Sequence, residues 1–189
     1  MLTTTFTNEE FRAFCEAPEN ADKRFELING VICEMPSPSP LHGLIISQIL
    51  YLFKAYLVQQ ALGYVFGDNN DFDLAPGVVL KPDVAYISKT RLPKIPPHLT
   101  VAPEIAVEIV SPSNTEEQLL EKTLTFISYG TKLVWIVYPD TKTVWVYRPA
   151  GDGSLNLRRF TAVDRLDAED ILPGFSITVS DIFAGIEME

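Results

Sequence analysis

Cysteine and histidine are nearly absent from this 189-residue chain: Cys15 and Cys33 stand alone beside His42 and His98, too few for a Cys/His zinc centre. The two thiols read as reduced side chains of an intracellular protein rather than as a disulfide framework. Positive charge is also scarce, 15 Lys+Arg against 25 Asp+Glu for a net charge of −10. That balance excludes a protein that coats nucleic acid or anionic membrane by bulk charge, but not a local basic face. No run of 18 apolar residues occurs, and no basic segment followed by an apolar one opens the chain. The expectation is a cytoplasmic protein with no signal peptide and no membrane span. Apolar residues make up 47% of the sequence and charged ones 21%, the balance of an ordered globular core. Repeats, low-complexity tracts and composition breaks are lacking, so one domain is expected over residues 1–189, with its core at about 42–147.

Within that frame the chain alternates helix and strand signals. Thr7 with Glu10 forms a capping box that opens a short helix. Phe25 to Ile28 and Val31 to Met35 flank Asn29-Gly30, the pair that supplies the two positive φ angles of a type I′ hairpin turn. Pro36, Pro38 and Pro40 forbid helix until His42, after which Ile45, Ile49, Leu52 and Tyr56 mark one long amphipathic helix. Strands are expected at 64–66, 71–74, 84–87 and 104–110. Ser113 with Glu116 would cap a third helix, with Leu119, Leu120, Leu124, Phe126 and Ile127 on its apolar face and Gly130 ending it. Leu133 to Tyr138 is a buried strand that turns through Pro139-Asp140 into Thr143 to Tyr147. A helix between the strands at 104–110 and 133–138 is a crossover, so those two strands run parallel. Residues 171–179 read as one extended edge piece. The fold class is α/β with a mixed sheet.

Two stretches are basic on the acidic chain, 81–98 and 142–159, each summing to +3. Lys81, Lys89, Arg91 and Lys94 lie in the first. They are the candidate phosphate contacts if both stretches border one groove, and ordinary solvated surface otherwise.

The chemistry concentrates on three residues. Asp83 sits between Pro82 and an apolar strand. Alternation along Glu104 to Val110 puts Glu108 on the opposite face from Ile105, Val107 and Ile109, in a strand expected to be buried. A buried ionised carboxylate needs a cation, and Lys122 lies at the edge of the following helix's buried face. A metal ion held by Asp83 and Glu108 with Lys122 beside it would satisfy these charges and suits water activation against a phosphodiester. A Glu–Lys salt bridge without chemistry would also satisfy two of them.

The ordered set Lys81-Pro82-Asp83-Val84, Pro103 to Asn114 around Glu108, Lys122, Tyr129-Gly130 and Leu133 to Pro139 resembles the Uma2 family, also called DUF820. Phe25 to Gly30, the proline-rich approach to His42 and Leu172-Pro173-Gly174-Phe175 extend the resemblance over nearly the whole chain. It implies a restriction-endonuclease-like fold of the PD-(D/E)XK superfamily, with an N-terminal helix and hairpin and a C-terminal β extension around the central mixed sheet. It also implies Mg²⁺ or Mn²⁺ on Asp83 and Glu108, and Lys122 as a lysine moved to the helix, since Val110 occupies the superfamily's usual lysine position. Glu26 and His42 match further positions of the pattern, Glu26 as an added ligand or as a carboxylate orienting His42. The implied activity is metal-dependent endonuclease cleavage of DNA, and the alternative is a catalytically silent binding or assembly module. Self-association as a homo-oligomer, a dimer in the simplest case, is expected through the 133–147 hairpin or the N-terminal elements.

Overall fold

The computed structural model describes residues 5–168 and 170–187. The capping box of Thr7 and Glu10 opens α1 (Asn8–Glu16). β1 (Arg24–Ile28) and β2 (Val31–Met35) form the expected hairpin, with Asn29 at φ 51° and Gly30 at φ 79°. α2 (Pro40–Gln60) starts two residues before the expected point. Ser39 is its N-cap, and Pro40 in the first turn lacks only an N–H that would have had no intrahelical partner.

β3 (Gly63–Phe66), β4 (Phe72–Ala75), the unanticipated β5 (Val78–Leu80), β6 (Val84–Ser88) and β7 (Ile105–Ile109) follow. α3 (Glu116–Ser128) is capped by Thr115 with Gln118 rather than by Ser113 with Glu116. The earlier residues are taken by a turn in which the Ser111 N–H and hydroxyl both donate to Asn114 Oδ1. The α3 face is also rotated from expectation: Leu119, Lys122, Thr123 and Phe126 are buried, while Leu120 and Leu124 are 43% and 47% exposed. Turning Lys122 under the helix brings its ammonium to sheet carboxylates, and the two leucines go to the surface in consequence.

β8 (Leu133–Tyr138), β9 (Thr143–Pro149) and β10 (Leu155–Phe160) complete a six-stranded sheet of order β10-β9-β8-β7-β6-β3. Its one parallel pair is β7 with β8, joined by the α3 crossover. A second sheet has the order β2-β1-β5-β4. The C-terminal segment differs from the expected extended piece. β11 (Arg165–Asp167) pairs with β12 (Ser176–Thr178), and the intervening turn swings Phe175 onto Phe53, ring centroids 4.9 Å apart. The short α4 (Val179–Ile182) follows.

Period-two alternation divides the core. Val107, Ile109, Trp135 and Val137 face Ile45, Ile49 and Phe53 of α2, whereas Ala106, Val134 and Ile136 face Leu119 and Phe126 of α3. By length and composition α2 could cross a membrane, a property the sequence reading did not anticipate because polar residues interrupt its apolar runs. In this fold its Ile45, Ile49 and Phe53 are fully buried against the sheet. Gly63 on β3 marks a close approach, since a Cβ there would lie 2.6 Å from the Tyr86 ring.

Candidate active site

Asp83 immediately precedes β6, and the antiparallel register Val84↔Val107 brings it level with Glu108 on β7. The Ile109 N–H donates to Asp83 Oδ2 at 2.7 Å, and His42 Nε2 lies 3.1 Å from the same oxygen. His42 can reach because it sits in the first turn of α2, whose N-terminus abuts this end of the sheet. Glu108 points to the opposite face from Val107 and Ile109, as alternation demands, and meets Lys122 arriving from α3.

Lys122 is the centre of the arrangement. Its Nζ lies 2.9 Å from Glu108 Oε2, 2.8 Å from Glu26 Oε1 and 3.1 Å from the Lys81 carbonyl oxygen. Those contacts use all three ammonium protons. Glu26 comes from the second sheet, where it faces the site because Phe25 and Leu27 point away into the cluster around Phe11. The Lys81 N–H donates to Glu26 Oε1 at 2.5 Å, which ties the two sheets together at the Lys81-Pro82-Asp83 link. The structure therefore brings together all five expected residues: Glu26, His42, Asp83, Glu108 and Lys122. All five are buried.

The electrostatics follow from crowding three carboxylates around one ammonium. Burial pushes the Glu108 carboxyl well above its ordinary pKa; Asp83 and Glu26 add to the rise and Lys122 opposes it. For Lys122, burial acts to lower the pKa, but Glu108, Glu26 and Asp83 outweigh it, so the ammonium is held charged. Burial likewise acts to lower the pKa of His42, and the bond and charge of Asp83, with Asp68 adding, raise it overall.

Six buried side-chain polar atoms lack a hydrogen-bond partner among the described residues, and three of them are Glu108 Oε1, His42 Nδ1 and Arg24 Nε. All three residues line one cleft of about 530 Å³. Its far wall is the Met35 to Pro38 segment and the turn at Ser111 and Asn114.

The side chains of the four candidate phosphate contacts point elsewhere, and none lines this cleft, although the Lys81 backbone belongs to the site. Lys81 is buried, with Nζ 3.2 Å from Asp71. Arg91 donates to the carbonyls of Ala102 and Gly130 and sits 3.7 Å from Glu104, a clamp on the 89–103 loop. Lys89 and Lys94 are exposed on that loop. The second basic stretch does not reach the cleft either; Arg148 pairs with Asp167 and Asp170 beyond the β9–β10 hairpin. Arg24, two residues before Glu26 on the same face of β1, is the cleft cation that sequence reasoning missed. The signal was the alternation Arg24, Glu26, Ile28, which puts all three on one side of the strand.

The profile of the Uma2 family, described as "Putative restriction endonuclease", matches residues 8–180. The chain belongs to the Uma2 family. A crystal structure of a "putative nuclease belonging to DUF820" from Anabaena variabilis superposes with a TM-score of 0.82 over 95% of this chain and 98% of that one, at 22% identity. That likeness shows a shared fold, a mixed sheet flanked by helices, as the Uma2 resemblance implies. Comparison with curated proteins finds no match.

Proposed function

We propose that this Uma2 protein is a metal-dependent nuclease that hydrolyses phosphodiester bonds of DNA. The observation that carries the reading is the unpartnered Glu108 Oε1, buried beside Asp83 in a cleft open to a substrate. Lys122 meets only the other oxygen of that carboxylate, and a buried polar atom left without a partner calls for an explanation.

The donor set is compatible with Mg²⁺ or Mn²⁺. Among the described residues no group of three or more His, Cys, Asp or Glu stands ready to hold a metal. Mg²⁺ does not need one, because it keeps several waters and binds through one or two carboxylates plus substrate phosphate. Asp83 and Glu108 are those carboxylates in this reading. A divalent ion held there supplies Lewis acidity and acidifies a water for attack on phosphorus. The chain's own residues fix the geometry. The Ile109 N–H and His42 hold Asp83 from two sides through Oδ2. Lys122 binds Glu26 and Glu108 side by side, so that Glu108 Oε1 is aimed away from the ammonium. Lys122 therefore acts here by positioning carboxylates, since it has no free proton for the transition state.

The same saturation favours a second reading, a catalytically silent module in which Lys122 neutralises a structural cluster. Plasmid and short duplex cleavage in Mg²⁺ and Mn²⁺, with Asp83→Ala beside the wild type, separates the two. The nuclease reading expects cleavage that the variant loses, and calorimetric divalent binding that Asp83→Ala abolishes. Equal nicking by both preparations, or no Asp83-dependent binding, rejects it.

A further inference from the structure

Among the described residues the cleft presents only two Lys or Arg side chains, Arg24 and Lys122, against Glu26, Glu34, Asp83, Glu108 and Glu121. A phosphodiester substrate brings more negative charge into that space, so a cation with donors to spare is required. Lys122 has none, because Glu108, Glu26 and the Lys81 carbonyl take its three protons. Arg24 does. A guanidinium offers five N–H donors in a planar fork. One terminal nitrogen of Arg24 pairs with Asp68 Oδ1, and its Nε–H is buried without a partner among the described residues.

A buried donor left unpaired has given up its hydration without a replacement bond, which makes it a poor structural device. Its arrangement fits a phosphate site instead. Arg24 side chain exposure is 17%, and that of Asp68 is 22%. The Asp68 carboxylate sits in the turn after β3, where Oδ1 also accepts from the Asn69 N–H at 2.7 Å. A carboxylate and a phosphate present the same pair of oxygens to an arginine fork, so one can replace the other.

Resting on the nuclease reading, we infer that Arg24 is the residue that binds a substrate phosphate in this cleft, and that Asp68 is the carboxylate holding it until the phosphate arrives. Substrate then completes the fork by accepting from Nε–H together with a terminal N–H. Asp68 opposes binding, because Arg24 must release it.

The test is equilibrium binding of a short fluorescein-labelled DNA duplex, and separately of its single strand, to the full chain in EDTA across a salt series, so that binding is read apart from cleavage. Arg24→Gln is expected to bind about tenfold more weakly, with a log–log salt slope shallower by about 0.9, the signature of one lost phosphate contact. Arg24→Lys keeps the slope, because the charge remains. Asp68→Asn binds a few-fold more tightly than wild type. A merely structural ion pair predicts the opposite pattern, with Arg24→Gln and Asp68→Asn weakening binding alike and the slope unchanged; that result overturns the assignment while leaving the nuclease reading intact. Should Arg24→Gln fail to fold by thermal melt, Asp68→Asn decides, since tighter binding supports the role and equal or weaker binding overturns it. Wild-type protein with no affinity for either probe overturns the role of Arg24, while the nuclease reading stands or falls on the Asp83-dependent cleavage assay.

Discussion

Two glutamates, Glu104 just before β7 and Glu108 within it, share one side of that segment, four residues apart and equally buried at 6% exposure, yet their surroundings are opposite. Glu104 lies just before β7, beside the end of β6. Its Oε2 accepts from the Ser88 N–H at 2.8 Å, its Oε1 accepts from the Ser88 hydroxyl at 2.7 Å, and Arg91 stands 3.7 Å away. Glu108, toward the other end of β7, has one oxygen on Lys122 and the other without a partner among the described residues. A carboxylate with both oxygens bonded is a structural pin that fastens a loop. One with an unfilled oxygen, crowded by Asp83 and Glu26, is a group that folding alone does not explain. Burial is common to both, so the unpartnered oxygen, rather than the burial, marks the site.

The largest way to break this comparison is to remove Lys122. Lys122→Met leaves Glu108 and Glu26 buried without their cation, and the expected loss is on the order of 3–5 kcal/mol in urea unfolding. Mg²⁺ or Mn²⁺ should raise the melting temperature of this variant more than that of wild type, because the ion replaces the missing charge. Equal shifts in the two proteins would show that Glu108 Oε1 does not face a cation site.

Next in size, Glu108→Gln should lower nuclease activity by about 100-fold or more while melting no lower than wild type. The sign follows from the raised Glu108 pKa, set chiefly by burial. The folded state binds a proton on Glu108 more readily than the unfolded chain does. Its contribution to stability is therefore full at pH below the ordinary glutamate pKa and is lost as pH rises through the folded one. A neutral amide removes that loss, so the variant's stability should fall less between acid and neutral pH. Glu104→Gln should do the reverse. It weakens charge-assisted bonds worth about 2 kcal/mol, lowers the melting temperature by about 4–8 °C, and leaves the folded protein active.

Much of this contrast was legible in the sequence. Alternation put Glu108 on the far face from Ile109, and the crossover between parallel strands put a helix over it, so Lys122 was findable from spacing alone. The hairpin at Asn29-Gly30 was equally legible, because its turn chemistry is local. What was hidden is tertiary. The role of Arg91 depends on the carbonyls of Ala102 and Gly130, 11 and 39 residues away, and a count of charge along the chain cannot distinguish a clamp from a phosphate contact. Arg24 was overlooked for the converse reason: it sits outside both basic stretches, and its relation to Asp68 exists only after the two sheets meet. The start of α3 was misplaced because Ser113 and Thr115 both precede an acceptable partner by three residues, and the Ser111–Asn114 turn decides between them.

The smallest expected effect sharpens the structural half of the comparison. Tyr86 on β6 packs against Gly63 of β3, and burial first, with the charge of Glu104 adding, pushes its phenol up to about 12. The unfolded chain ionises this tyrosine near its ordinary pKa of about 10. Between those values the folded state holds a proton that the unfolded state has lost, so the contribution is full below about pH 10 and disappears as pH rises toward 12. Tyr86→Phe should flatten the alkaline fall in stability over that window, read by urea unfolding at a series of pH values. Glu104→Gln should move the Tyr86 ionisation, followed by tyrosinate absorbance against the Tyr86→Phe baseline, part of the way back toward 10. Glu108→Gln should leave it in place, since Glu108 lies at the other end of β7. A shift of equal size in both variants would mean that the two carboxylates act on the strand as one field, and the division between pin and site would fail.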